Sequence, residues 1–244
     1  MTDDTALFDV VDGTWPAANV TRRGPWTLRE GQGGGSRVSA TTAHAPVGRD
    51  DPALAEAAMR EMGQKPLFMI RPADEALDAI LEARGYAIVD PVVIYTCPVE
   101  RLTDMEMPRV TAFAIWEPLQ IMREIWAAGG IGPERQAVMG RVKGPKTGLF
   151  GRSNDKPGGV GFAAIHDGTA MVHAIEVPPH QRRKGGGSWI MRAAAFWAAK
   201  EGAHTISVIC TAENTGANAL YASLGMDAVG RYHYRHLPSA KDSK

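Results

Sequence analysis

The residues best suited to chemistry form one short run, in which cations lead directly into glycines. From His180 the chain reads HQRRKGGGSW, and the run comprises Arg182, Arg183, Lys184, Gly185, Gly186, Gly187 and Ser188. Positive side chains attract an anion, and glycine lets a bulky anion approach backbone N–H groups. The run therefore predicts a binding site for phosphate or diphosphate.

The segments on either side predict the strand and the helix that must position this run. Upstream, VGFAAIHDGTAMVHAIEV contains two strand-like segments separated by Asp167 and Gly168, a pair that favours a two-residue hairpin turn. The second strand is expected from Met171 to Val177. Downstream, apolar residues recur with helical spacing over 190–197, and Gly202 suits a helix end. The glycines thus lie in a strand-to-helix turn, where the helix start adds unpaired N–H groups and a positive dipole.

Two motifs identify a family for this arrangement. The P-loop order and the dinucleotide fingerprint are both absent from the run, but Arg182, Gly185 and Gly187 fit [QR]-x-x-G-x-[GA]. Further on, NTGANALYASLGM fits N-x-x-A-x-x-L-Y-x-x-x-G-[FM] through Asn214, Ala217, Leu220, Tyr221, Gly225 and Met226. On these motifs, the stretch from about 159 to 236 resembles the GCN5-related N-acetyltransferase (GNAT) family. The resemblance implies an α/β fold of the GNAT type, with a mixed, largely antiparallel central sheet flanked by helices.

The resemblance also implies acetyl-CoA as co-substrate, with its diphosphate in the glycine turn. In such proteins the strand before the turn splays from its neighbour. Main-chain groups near Ile175 and Val177 are then expected to pair with the pantetheine arm, as if the arm were another strand. Asn214 is expected to contact the same arm, and Tyr221 to lie at its thioester end.

Transfer of an acetyl group to an amine needs a neutral nitrogen, a polarised carbonyl and a proton for the departing thiolate. The resemblance places the Tyr221 hydroxyl near the thioester sulfur, which makes it the candidate acid. The alternative is a helix tyrosine that only packs on the sheet. Glu176 is the candidate base, because a carboxylate on the strand leading into the turn could deprotonate the ammonium directly or through water. A solvent-facing strand residue, or a water chain with no single base, remains open.

Histidine is the usual base near neutral pH, so two histidines need separate consideration. His166 adjoins the hairpin turn, which favours an exposed loop residue. His173 lies on the predicted strand and could point into the cleft, as a secondary candidate. Strict alternation places Glu176 with Val172 and Ala174, opposite Ile175 and Val177, and leaves open which side meets helices.

Acceptor choice is expected in the segment 117–142, which predicts two short helices broken by AGGIGP. The acceptor class is an amine of a small molecule or peptide. The main interpretation is an acetyl-CoA-dependent N-acetyltransferase. The alternatives are an acyltransferase for a longer acyl-CoA and a non-catalytic module that binds acyl-CoA as a sensor.

The first part of the chain repeats the expected order of elements without the chemistry. RVSATTAH is strand-like, DPALAEAAMREMG predicts a helix and PLFMI a strand, and DAILEARGYAIV aligns with NALYASLGMDAV. Where the second copy has HQRRKGGG, the first has HAPVGRDD. We therefore expect two tandem GNAT-like halves: residues 1–108 as a degenerate copy without cofactor, 109–238 as the acetyltransferase domain, and 239–244 as a polar tail. Convergence of two α/β segments is the alternative. The glycines of EGQGGGSRV predict only a hairpin loop.

Composition excludes several other classes of protein. Lys+Arg and Asp+Glu both total 27, so no net charge favours nucleic acid or an anionic membrane. The cysteines number 2, and the acidic N-terminus does not resemble a signal peptide, so a cytoplasmic location is expected. No apolar run reaches the length of a spanning helix. No metal is expected, since RYHYRH predicts an edge strand and not a zinc site. The assembly is expected to be a monomer or a homodimer.

Overall fold

The structure is a computed structural model that describes residues 4–238, with side chains from residue 6. The predicted tail, 239–244, lies outside this range. The helices are α1 (Asp4–Thr14), α2 (Ser36–Ser39), α3 (Pro52–Glu61), α4 (Glu75–Ala83), α5 (Gln120–Ala128), α6 (Pro133–Arg141), α7 (Gly186–Lys200) and α8 (Thr215–Ser223), with short 3-10 helices at Val99–Leu102 and Pro179–Gln181. The strands are β1 (Asn19–Arg23), β2 (Trp26–Glu30), β3 (Thr42–Ala43), β4 (Leu67–Ile70), β5 (Ala87–Pro98), β6 (Ala112–Ile115), β7 (Lys146–Ser153), β8 (Lys156–His166), β9 (Thr169–Glu176), β10 (Thr205–Thr211) and β11 (Asp227–His236).

The chain divides into two compact units. The first unit contains the residues up to 16, then 94–210 and 214–229, and the second contains 17–93, 211–213 and the residues from 230. The division does not coincide with the expected boundary between 108 and 109. Helix α1 belongs to the first unit because its apolar side is buried there, and β5 and β11 each contribute residues to both units.

In the first unit a single sheet has the strand order β5 (from Ile94), β10, β9, β8, β7, β6. From β6 to β9 each strand runs antiparallel to its neighbours, whereas β10 runs parallel to β9. The predicted GNAT fold, with a mixed and largely antiparallel sheet, is confirmed. The β8–β9 hairpin turns at Asp167 and Gly168, whose φ angles of 45° and 70° suit a two-residue primed turn.

Helices cover both faces of this sheet. On one face, α7 contributes Ile190 and Met191 to a buried apolar cluster that includes Val172 of β9. On the other face, Val10 of α1 packs against Met171 of β9. Successive residues of a strand point to opposite faces, so β9 contributes to both cores. The sequence analysis did not predict α1.

The second unit has its own core around three buried aromatic rings, Trp26, Phe68 and Tyr86. Their centroids lie 5.4 Å and 5.5 Å apart in edge-to-face pairs. Strands β1, β2 and β3 form one antiparallel sheet, and β4, β11 and β5 (up to Val93) lie side by side in that order. A bidentate ion pair joins α4 to β11: Arg235 Nε donates to Asp78 Oδ1 at 2.7 Å, and Nη2 donates to Oδ2 at 3.1 Å.

The predicted repetition in the order of elements is confirmed. The stretch 17–98 runs β1, β2, β3, α3, β4, α4, β5, and the stretch 146–236 runs β7, β8, β9, α7, β10, α8, β11. The one-turn helix α2 in the first stretch and the 3-10 helix Pro179–Gln181 in the second have no counterpart in the other stretch. The repeated order is consistent with two tandem halves but does not by itself establish a common origin.

Two local predictions are wrong. RVSATTAH is not a continuous strand: Ser36–Ser39 is helical, and the strand is limited to Thr42–Ala43. The Gln64 side chain contacts the backbone before and after this helix: it accepts from Gly31 N at 2.7 Å, and its Nε2 donates to Arg29 O at 2.8 Å and lies 3.5 Å from Ser39 O. RYHYRH is a strand but not an edge strand, because β11 lies between β4 and β5.

Within residues 4–238, no helix is both long enough and apolar enough to cross a bilayer. The same range contains no group of three His, Cys, Asp or Glu side chains placed to hold a metal ion.

Candidate active site

The glycine turn forms the start of α7, as the sequence predicts. Gly185 is the N-cap and has a φ of 79°, in the left-handed region, and Arg183 before it has a φ of 62°. A glycine cap has no side chain to bond the first-turn N–H groups. The first intrahelical bond runs from Trp189 N to Gly185 O at 3.2 Å. The N–H groups of 186–188 precede it, so helix geometry gives them no intrahelical carbonyl and leaves them available to an anion.

The three predicted cations differ in their surroundings. Arg182 Nε donates to Val177 O at 2.9 Å, and its Nη2 lies 3.4 Å from Glu176 Oε1. Lys184 Nζ donates to His180 O at 2.9 Å, inside the loop. Arg182, Arg183 and Lys184 are all exposed. The loop therefore presents positive charge next to the start of α7.

Strands β9 and β10 separate where the sequence predicts a cofactor-binding opening. Their parallel register runs from Thr205 opposite Thr169 to Val208 opposite Val172. Beyond that point β9 continues to Glu176 and β10 to Thr211. The main chain of Ile175 lies in the part of β9 beyond the register. An extended arm that adds to this part of β9 would use the strand-addition mode of recognition.

A β-bulge interrupts β9 within this same part. The register against β8 passes from Phe162 opposite His173 to Val160 opposite Glu176, so Ala174 and Ile175 together oppose a single residue. Ala174 has a φ of 51°. Strict alternation would therefore be wrong across this point.

The bulge decides which face carries the candidate base. Val172 and Ile175 both pack in the α7 cluster, although they are three residues apart. Glu176 points to the α5 side, because a Cβ added at Gly129, just after α5, would lie 2.5 Å from the Glu176 carboxyl carbon. The predicted grouping of Glu176 with Val172 is thus overturned, since the extra residue shifts the alternation by one.

Glu176 lies between the glycine turn and the connection of α5 to α6. Its side chain is 18% exposed and is ion-paired to Arg182. Helix α5 ends just before the segment 129–132 and α6 begins just after it, as the AGGIGP break predicts. The carboxylate is therefore reachable from solvent, and it lies next to the segment expected to choose the acceptor.

Tyr221 lies on α8 and is only 4% exposed. Its ring is 5.5 Å from that of Tyr95, centroid to centroid. Burial, with a smaller contribution from Cys210, raises the pKa of Tyr221 well above its ordinary range. The phenol therefore keeps its proton at neutral pH, which suits an acid and not a base.

Asn214 caps the helix that carries Tyr221. Its Oδ1 accepts from Ala217 N at 3.0 Å, and the residue itself is exposed. The structure thus gives Asn214 a capping role. Contact with a pantetheine arm remains a prediction.

Sequence reasoning missed a hydrogen-bonded group beside Tyr221. Tyr95 OH donates to Asn218 Oδ1 at 2.8 Å, and Asn218 Nδ2 donates to Asn214 O at 2.7 Å. Cys210 Sγ lies 3.5 Å from the same Oδ1. Asn218 follows the motif asparagine by one helical turn and could have been found from that spacing. Tyr95 is remote in sequence, and no motif points to it.

The two histidines both lie against the C-terminal end of α1, next to Gly13 and Thr14. His173 is buried, and its Nε2 lies 2.9 Å from Thr14 Oγ1. Its ring lies 5.0 Å from that of Trp15, so it packs below α1 on the sheet. His166 is the last residue of β8 and not a loop residue, and its side chain is 40% exposed.

Gly187 has a packing role besides its possible role in binding. A Cβ at this position would lie 2.9 Å from Leu220 Cδ2. The start of α7 and the middle of α8 therefore lie close together, and a side chain at 187 would displace the end of the Leu220 side chain. The two motifs of the sequence meet at this contact.

Comparison with known proteins places this geometry in context. Residues 121–226 match the model of the Acetyltransferase (GNAT) family. The chain is 26% identical to the uncharacterized N-acetyltransferase YobR of Bacillus subtilis (strain 168), over 96% of this chain and 99% of the relative. A GCN5-related N-acetyltransferase from Kribbella flavida is similar in structure, with a TM-score of 0.68, 20% identity, and coverage of 97% of this chain and 95% of that chain. A tandem GNAT protein from the clavulanic acid biosynthesis pathway has a TM-score of 0.59 at 14% identity, covering 88% and 78%. Residues 121–226 are thus similar to the GNAT family, and the chain has the fold of GNAT proteins.

Proposed function

We propose that this chain, which has the GNAT fold and is an acyltransferase, transfers an acetyl group from acetyl-CoA to an amine of a small molecule or peptide. The observation that carries the proposal is the opening between β9 and β10 beyond Val172 and Val208, next to the glycine-capped start of α7. An extended thioester arm and a diphosphate fit these two features in turn.

The residues of this site fit an acyl-CoA co-substrate. The glycine cap and the first-turn N–H groups of α7 suit the diphosphate, and exposed cations surround them. The proposed binding set comprises Ile175, Val177, Arg182, Arg183, Lys184, Gly185, Gly186, Gly187, Ser188, Asn214 and Tyr221. Acyl-CoA supplies an activated carbonyl carbon bonded to a thiol leaving group.

The proposed chemistry is direct attack of the amine on the thioester. A C–N bond forms and the C–S bond breaks. Glu176 takes the proton that the nitrogen loses, and the departing sulfur takes the hydroxyl proton of Tyr221. Solvent then reprotonates Tyr221 and accepts the proton of Glu176. The partial exposure of Glu176 and the protonated state of the Tyr221 phenol at neutral pH are compatible with these roles.

We also propose that residues 1–108 contain a degenerate GNAT-like copy that binds no cofactor. The repeated order of elements supports this interpretation. The residues 44–51, which precede α3, contain two acidic residues and a single glycine where the other copy has its cations and glycines. One acetyl-CoA per chain is the expected stoichiometry.

A free-thiol assay tests the proposed function. Acetyl-, propionyl- and longer acyl-CoA would be offered with a panel of small amines, antibiotics and peptides, beside calorimetric titrations. We expect one binding site per chain and turnover that is fastest with acetyl-CoA. Preference for a longer chain would establish the acyl-CoA alternative. Tight binding without turnover across the whole panel would instead indicate a sensor, and absence of binding would refute the proposal.

A further inference from the structure

The bulge on β9 is held from the side by helix α5. Trp126 of α5 is fully buried, and its indole Nε1 donates to Ala174 O at 2.8 Å. Ala174 is the residue with a φ of 51°, and with Ile175 it opposes a single residue of β8. The indole therefore binds the carbonyl of the bulged residue.

This carbonyl needs a partner from outside the sheet. A bulge leaves its extra residue outside the ladder pairing, and a buried carbonyl without a donor is destabilising. A side chain with a Cβ also resists the left-handed region, so alanine does not favour this backbone conformation by itself. A fixed donor on a packed helix counters both effects. Trp126 can serve as such a donor because its ring is locked in the core.

The bulge in turn sets the geometry of the proposed site. It places Ile175 in the α7 cluster and turns Glu176 toward Gly129, at the end of the same helix α5. Without the extra residue, Ile175 and Glu176 would exchange faces. The α5 helix thus contacts β9 twice, through Trp126 and at Gly129.

We propose that Trp126 is a positioning residue for catalysis, whose indole N–H maintains the β9 bulge and so keeps Glu176 on the acceptor side. The role in turnover rests on the proposed function, whereas the effect on the bulge does not. Trp126 has no part in proton transfer and acts only through the backbone of Ala174.

The test uses three variants of the full-length protein. Trp126→Phe keeps an aromatic ring but removes the N–H donor. Trp26→Phe is the matched control, because Trp26 is also fully buried and its Nε1 donates to a backbone carbonyl, Asp51 O, at 3.1 Å. Trp126→Phe combined with Ala174→Gly is the rescue variant, because glycine adopts positive φ without steric cost.

Kinetics measure the effect on the reaction. We expect kcat of Trp126→Phe to fall about ten- to a hundredfold, the scale on which small displacements of catalytic groups act. The control should keep the wild-type kcat. The added Ala174→Gly should recover part of the lost kcat, because glycine removes the cost of the positive φ although the carbonyl still lacks the indole donor. Equal loss in both tryptophan variants, or no recovery with glycine, would overturn the proposal.

Amide hydrogen exchange measures the bulge without any substrate. In Trp126→Phe, exchange over residues 173–177 should become about five- to tenfold faster, as expected for loss of one buried hydrogen bond. The control should leave this segment unchanged, and Ala174→Gly should slow it again. If the wild type shows no turnover, the proposed function fails while the exchange result still decides whether Trp126 holds the bulge. Unchanged exchange in Trp126→Phe would refute that role.

Discussion

Replacing Tyr221 by phenylalanine removes one hydroxyl from the proposed acid and leaves the rest of the site in place. The ring is buried among the apolar residues of the α7 cluster and lies 5.5 Å from the Tyr95 ring. Asn218, which orders this corner, bonds to Tyr95 and to the backbone of Asn214. Those bonds do not involve the Tyr221 hydroxyl, so they should persist in the variant.

The expected effects on stability and on rate differ in size. Because the ring keeps its packing, the free energy of unfolding should change by less than about 1 kcal/mol. Loss of one general acid should lower kcat by roughly ten- to a thousandfold, or about 1.4–4 kcal/mol of transition-state stabilisation. The affinity for acetyl-CoA should change little. The loss should appear mainly in kcat, because the proton is needed as the thiolate departs.

Initial rates from a free-thiol assay, urea unfolding and calorimetry would separate these effects. Tyr86→Phe is the matched control, because Tyr86 is 3% exposed, compared with 4% for Tyr221, and belongs to the second unit. It should keep the wild-type kcat. If the tyrosine only packs, Tyr221→Phe should keep a kcat close to that of the wild type. Wild-type turnover by Tyr221→Phe across the pH profile would refute its role as the acid.

Three further predictions concern the glycine turn, the second unit and the response to pH. Gly187→Glu should abolish acetyl-CoA binding in calorimetry, because it places a negative charge at the start of α7 and a Cβ 2.9 Å from Leu220 Cδ2. The control is Gly140→Glu, where nothing lies within 4 Å of the added Cβ, and this variant should bind acetyl-CoA normally. Asp78→Asn should lower the free energy of unfolding at pH 7 by about 1.5–3 kcal/mol without changing the Kd of acetyl-CoA. The hydrogen bond from Arg235 lowers the pKa of Asp78, so the ion pair stabilises the fold above the ordinary carboxyl pKa and this stabilisation is lost as the pH falls below it. If the free energy of unfolding falls equally with acid in the wild type and in Asp78→Asn, the ion pair does not have this role. Burial raises the pKa of Cys97 from 9.0 to about 11, so stability should be full below pH 9 and decrease by about 2–3 kcal/mol as pH rises through 11. Urea titrations should show that the free energy of unfolding of Cys97→Ala lacks the part of the alkaline decrease that the thiol causes. An identical decrease in the wild type and the variant would contradict this role of Cys97.

The sequence predicts those parts of the site that neighbouring residues determine. Asp167-Gly168 specifies a hairpin turn because both positions tolerate positive φ, and Gly185 caps the helix that follows. The helices α5 and α6 follow from their apolar spacing and the break between them. These features depend on residues a few positions apart, so a single sequence is enough to predict them.

The tertiary structure decides which of these residues meet, and on which face. Alternation misplaces Glu176 because the bulge at Ala174 is held by Trp126, which lies 48 residues earlier in the chain. Tyr95 reaches Asn218 across 123 residues, and α1 is buried against β9 from the far N-terminus. Such contacts form only when distant segments share one core, and many pairings satisfy the same local preferences. The sequence by itself therefore determined the turn and the motifs, whereas packing between distant segments determined the direction of the candidate base and the surroundings of the candidate acid.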